Sequence, residues 1–124
     1  MILFCPDMAE AILAGRKTVT RRRWKSPRVK VGAIHKCYTR PAFARPPGKP
    51  FASIRILAVS HEDSPGQLGD WSEGTRSEAR REGFERWQEF EAAWATMHGG
   101  PALWEPCYRV RFEIIKEVLE AGGD

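Results

Sequence analysis

Between Ala11 and His61 the chain has no aspartate or glutamate, although 13 of its 20 Lys and Arg fall in that interval. A segment without acids cannot neutralise itself, so its charge is met by carboxylates elsewhere in the chain or by a polyanion. From Glu62 onward the acids return, and the net charge of +4 understates the asymmetry. With a pI of ≈ 9.2, this polarity points to a basic face that binds nucleic acid, set against the plainer reading of an arginine-rich solvated surface.

Long apolar runs are missing too. No stretch approaches the roughly 20 residues that span a bilayer, and no basic leader precedes an apolar run at the start, so a cytoplasmic protein away from membranes is expected. Cys5, Cys37 and Cys107 are odd in number and widely spaced, which excludes a disulfide framework and suits thiols in a reducing compartment. With His35 they make a zinc site only on paper, because no close C-x-x-C pair occurs, and no metal or other cofactor is expected. The zinc deaminase pattern fails as well: His61 is followed directly by Glu62, and Pro106-Cys107 lacks a second cysteine. Neither a Gly-rich phosphate loop nor a nucleophile elbow is present.

What is present suits one globular domain over residues 1–124, expected to be a monomer. Hydrophobic residues make up 42% of the chain, with five Trp and six Phe, and a chain of this length buries about two thirds of its unfolded surface without staples. Ile2 to Phe4 read as a short strand ahead of Pro6, and Asp7, with Glu10 three residues on, approximates a capping box for a helix from Asp7 to Ala14. Met8, Ala11, Ile12 and Ala14 give that helix an apolar stripe. Further strands are expected at Lys17–Arg22, Ala33–Thr39, Phe51–His61 and Tyr108–Lys116, and further helices at Ser77–Arg81 and Arg86–His98. Trp87, Phe90, Trp94 and Met97 recur at helical spacing, which favours a core face over a stacking platform. Ser64 to Ser72 is turn material. Arg40 to Pro50, with four prolines and three basic residues, is a loop that reads either as a nucleic-acid clamp or as a disordered insertion.

The densest chemistry lies in Ile12 to Lys25, ILAGRKTVTRRRWK. Gly15 suits the left-handed position that ends a helix. Lys17 and Thr20 have the residue types of an amine base and a hydroxyl nucleophile, provided that burial or the neighbouring arginines keep the amine neutral. Three residues apart on an ideal strand they would face opposite ways, so convergence requires a late strand start or a bulge. The alternative is a phosphate contact at Lys17 and an ordinary strand residue at Thr20. Arg16, Arg21, Arg22, Arg23, Lys25 and Lys30 make up the expected nucleic-acid face, with stacking from Trp24 or Tyr38.

The spacing Gly15, Lys17, Thr20, Arg22 resembles the Gly-x-Lys-x-x-Glu-x-Arg signature of ASCH domains, small PUA-like β-barrels associated with RNA. Thr20 departs from it by standing where most members carry Glu, and Gly-Arg-Lys-Thr-x-Thr is similar to the small bacterial ASCH enzymes that remove the acetyl group from N4-acetylcytidine. The likeness runs more loosely through Lys30-Val31-Gly32 and Glu82-Gly83-Phe84 to Val110–Ile114. It implies an α+β fold built on a PUA-like barrel of five or six strands with flanking helices. It also implies Lys17 as proton acceptor, Thr20 as nucleophile and Glu82 as proton donor, with Glu78 as the rival for the last role. The implied partner is RNA, another single-stranded nucleic acid, or a modified nucleoside; the non-catalytic alternatives are an RNA-binding module and a protein-interaction module.

Overall fold

The structure, a computed structural model, describes residues 1–63, 73–99 and 105–115. In chain order these form β1 (Ile2–Leu3), α1 (Pro6–Leu13), β2 (Val19–Arg22), β3 (Ile34–Tyr38), β4 (Pro50–Glu62), α2 (Glu73–Arg81), α3 (Trp87–His98) and β5 (Cys107–Ile114). The five strands make one sheet in the order β1-β3-β4-β5-β2, antiparallel throughout except for the parallel β1–β3 pair. Register shifts between Cys37 and Tyr38 and between Ile56 and Ala58 insert bulges that increase the local bend. The outcome is an α+β fold with a curled half-barrel. Its edges, β1 and β2, do not pair with each other among the described residues, so full closure of the barrel is not observed.

Alternation along β3, β4 and β5 sends Cys37, Ala52, Ile54, Ile56, Val110 and Phe112 inward, where they meet Ile2, Phe4, Val29 and Ile12 of α1. A second core packs Ala79 of α2 and Trp87, Phe90 and Trp94 of α3 on Cys107. The stripe on α3 is therefore core at three positions, whereas Met97 is exposed.

Several element ends differ from expectation for local reasons. α1 starts one residue early because Pro6, with its preset φ, takes the first helical turn. Cys5 is the N-cap and no side chain caps the helix, so Asp7 lies in the first turn and complements the dipole instead of forming a capping box. Ala9, not Ala14, completes the buried stripe. The helix ends where Gly15 takes φ 80°. Gly15 donates to Ile12 O at 3.0 Å, and Ala11 O accepts from Arg16 at 2.9 Å and Lys17 at 3.1 Å. Those two bonds hold Lys17 out of the sheet, and β2 begins only at Val19. α2 starts at Glu73, earlier than expected. The 40–50 loop folds back on itself, with Ala44 and Gly48 both donating to Pro41 O, at 3.1 and 3.0 Å. The expected turn at 64–72 and the end of the last strand at Lys116 lie outside the described residues.

Candidate active site

Two helix ends meet at the site. α2 stops at Gly83, φ 98°, and Phe84 N–H closes the cap on Ala79 O at 2.8 Å. Thr18 N–H donates to Arg81 O at 2.7 Å, which ties this end to the turn leaving α1. Lys17, two residues after one glycine, thereby faces Glu82, immediately before the other. The approach is close: a Cβ on Gly83 would lie 3.3 Å from Ala11 Cβ and 3.4 Å from Lys17 Cβ.

The Lys17 ammonium is buried and donates to Val19 O at 2.8 Å, Glu82 O at 2.8 Å and Glu82 Oε1 at 3.0 Å. Burial pushes the amine below its ordinary pKa; Glu82 works against that shift, while Arg22 and Arg21 add to it. Burial, rather than the run of arginines, is thus the leading cause.

Arg21 was expected among the phosphate contacts, and the structure corrects this. It is only 4% exposed. Its Nη1 donates to Glu82 Oε2 at 2.7 Å, its Nε to Glu62 Oε1 at 2.6 Å and its Nη2 to Glu78 Oε2 at 2.6 Å. A guanidinium presents donors in a fixed fork, and here each edge meets a carboxylate. Burial opposes the charge on Arg21, but the bonds to Glu62 and Glu78 and the field of Glu82 hold its pKa above the ordinary arginine value. Glu78 also accepts from Arg109 Nε at 3.0 Å, Arg109 Nη2 at 2.9 Å and Arg81 Nη1 at 2.8 Å. Burial would raise the Glu78 pKa, yet bonds from Arg109, Arg21 and Arg81 bring it down to about 2. Glu78 is therefore held ionised among three arginines, whereas Glu82 is the carboxylate that touches Lys17.

Thr20 and Arg22 share the other face of β2. Arg22 Nε donates to Thr20 Oγ1 at 3.2 Å and Nη2 to Leu3 O at 2.7 Å, with the guanidinium 4.8 Å above the Phe4 ring. No hydrogen bond joins Lys17 to Thr20 among the described residues. Both nonetheless line one cavity of ≈ 450 Å³, together with Glu82, Arg22 and an apolar wall that includes Phe4, Phe84, Phe90 and Trp94. The late start of β2 brings them there despite their odd spacing.

The remaining expected residues are scattered. Arg16 lines a separate hollow with Arg80, Glu85 and Glu89. Arg23 pairs with Glu105. Trp24 is half buried against the sheet core, its ring 6.5 Å from that of Tyr108, and Tyr38 is half buried at the end of β3. Lys25 and Lys30 are exposed. These residues do not make up one continuous basic face. Sequence reasoning missed the part of Glu62, since the pair Glu62-Asp63 at a strand end carries no sign of which cation it meets, and the part of Phe90 and Trp94 in the cavity wall, for which the aromatic stripe was a signal. Among the described residues no three His, Cys, Asp or Glu side chains gather in a way that could hold a metal ion, and no helix is long and apolar enough to cross a membrane.

No protein-family model and no curated protein matches the chain. Solved structures do. An ASCH domain from Lactobacillus crispatus JV V101 superposes with a TM-score of 0.61 at 19% identity, over 90% of this chain and 76% of that one. The hypothetical protein PH0355 gives 0.65 at 13% identity, over 92% of this chain and 96% of its own. A mutant of ZmASCH from Zymomonas mobilis gives 0.57 at 22% identity, over 92% and 68%. With β-sheet order, flanking helices and the glycine-capped lysine turn described above, these likenesses establish that the chain has the fold of the ASCH domains.

Proposed function

We propose that the chain is an amidohydrolase acting on an N-acylated nucleobase of the N4-acetylcytidine type. The observation that carries the reading is the convergence of Lys17, Thr20 and Glu82, from two distant segments, on one apolar-walled cavity. At ≈ 450 Å³ it falls in the usual range for small-molecule sites, about 300–1,000 Å³, and aromatic walls suit a flat base. Proton transfer along the 3.0 Å bond from Lys17 Nζ to Glu82 Oε1 would leave a neutral amine and a neutral carboxylic acid, the two forms the reaction needs. The amine takes the Thr20 hydroxyl proton while Oγ1 attacks the acyl carbon, and Arg22 at 3.2 Å stabilises negative charge forming on oxygen. Glu82 protonates the leaving nitrogen as the C–N bond breaks. Water then cleaves the resulting Thr20 ester, releasing the carboxylic acid and restoring the hydroxyl.

Incubation with N4-acetylcytidine should yield cytidine and acetate. Thr20→Val, which keeps side-chain shape, and Glu82→Gln should each lower kcat/KM by at least about 100-fold. Absence of turnover, or turnover unchanged in both variants, overturns the reading.

A second reading, non-catalytic nucleic-acid binding, is favoured by Lys25, Arg28 and Lys30, which are exposed beside Trp24 and make no ion pair among the described residues. Three phosphate contacts predict a log–log salt slope of about −2 for single strands. A salt-independent complex with a folded protein would instead point to an interaction module.

A further inference from the structure

Adjacent arginines on β2 are treated very differently. Arg21 has three carboxylates, whereas Arg22 has none among the described residues: its hydrogen bonds go to the Thr20 hydroxyl and the Leu3 carbonyl, and Glu82 acts on it only through space. A half-buried guanidinium without a counter-ion is costly unless an anion joins it. Beside it lies a second cavity, of ≈ 280 Å³, lined by Leu3, Arg22, Trp24, Arg28 and His35 among others, with no acidic residue in its wall. Arg28, exposed and unpaired among the described residues, brings a second guanidinium. His35 has a buried Nε2 with no partner. Leu3 and Arg22 line this hollow and the larger cavity alike, so Arg22 stands in the partition between them.

We propose that the Arg22–Arg28 hollow is a phosphate subsite adjoining the base cavity, so that the chain takes a phosphorylated ligand, a nucleotide or a nucleotide within a strand, in preference to a free nucleoside. This rests on the nucleobase reading of the larger cavity. Two guanidiniums present forked donors to a phosphate, the indole of Trp24 closes the hollow on one side, and the His35 ring nitrogen supplies a further polar group. The ligand then straddles Arg22, with its base on one side and its phosphate on the other.

The indole N–H signal of Trp24, assigned in the NMR spectrum through Trp24→Phe, reports on the hollow alone. Millimolar inorganic phosphate should shift it in the native chain and not in Arg28→Gln. Cytidine 3′- or 5′-monophosphate should bind at least about tenfold more tightly than cytidine at low salt, a margin that Arg28→Gln should erase. An unmoved Trp24 signal, or equal affinity for nucleoside and both monophosphates, overturns the inference and leaves the hydrolase reading untouched. A phosphate response without hydrolysis of N4-acetylcytidine sinks the hydrolase reading alone. The source of the phosphate is separated by comparing the monophosphates with a short cytidine-containing oligonucleotide.

Discussion

Glu82 holds the Lys17 amine twice, through its carboxylate at 3.0 Å and through its own backbone carbonyl at 2.8 Å. Neutralising the carboxylate therefore need not displace the amine. Because the negative charge raises the Lys17 pKa, Glu82→Gln should lower that pKa further while Lys17 stays seated. Chemical-shift titration of the Lys17 side chain checks this, and an upward move would contradict the arrangement.

The pH dependence of hydrolysis follows from the same pair. A base must be neutral, and burial sets the Lys17 pKa below its ordinary value. Because the reacting pair, neutral amine and neutral acid, still shares one proton, the rate should fall as that proton is lost at high pH, with a midpoint below the about 10.4 of a free lysine. A profile flat across that range would remove Lys17 from the role of proton acceptor.

Arg21 should matter to stability more than to any ligand. Arg21→Ala leaves three carboxylates facing one another around a buried space, and loss of one partner from such a group costs about 3–5 kcal/mol. Urea denaturation should register a loss of that order. Had the side chain been a solvent-facing phosphate contact, the change would stay within about 0.5 kcal/mol.

Acid should loosen the same network at a definable point. The Glu78 carboxyl is depressed in the folded chain to about 2, so the unfolded state binds its proton first as pH falls. The stabilisation is complete above the ordinary carboxylate range and is lost between roughly pH 4.5 and pH 2, amounting to about 3 kcal/mol at most. Glu78→Gln should flatten the stability–pH curve across that window; an unchanged curve would assign the acid sensitivity elsewhere.

The two glycine caps should respond unequally. Gly15 and Gly83 both have positive φ, so alanine at either is strained by about 1–2 kcal/mol. At Gly15 an added Cβ meets nothing within 4 Å, whereas at Gly83 it meets Ala11 and Lys17. Gly83→Ala should be the more destabilising, and it alone should disturb the Lys17–Glu82 pair. Equal melting temperatures for the two variants would contradict the close packing of the helix ends.

The middles of β4 and β5 were legible because period-two burial is written into Ile54, Ile56, Val110 and Phe112, although Ser53 is buried as well and the shift between Ile56 and Ala58 breaks the alternation. The motif around Gly15 located Lys17 and Thr20, and the matching glycine after Glu82 was visible too. What the sequence could not convey was partner choice. Arg21, Arg22 and Arg23 are identical letters, yet one meets three carboxylates, one a hydroxyl and a carbonyl, and one a surface glutamate. Strand alternation separates Arg22 from its two neighbours, but only the return of α2 and β4 decides which acids reach Arg21. The acid-free interval thus finds part of its balance within the fold, in Glu62, Glu78 and Glu82, as well as offering charge to solvent.

The bond from Arg22 Nη2 to Leu3 O at 2.7 Å links β2 to β1, the two edges of the half-barrel. Paired strands would zip that slit at a fixed spacing of about 4.8 Å and seal it along its length. Among the described residues one long side chain bridges it instead, and Arg22 and Leu3 line a cavity on each side of that bridge. Whatever draws the guanidinium away loosens a two-residue strand whose remaining hold is its pairing with β3 and the burial of Ile2 beside Phe4, and the amide of Phe4, bonded to Tyr38 O at 2.9 Å, becomes a sensor for it: Arg22→Gln should quicken its hydrogen exchange while leaving the β4–β5 amides as protected as before.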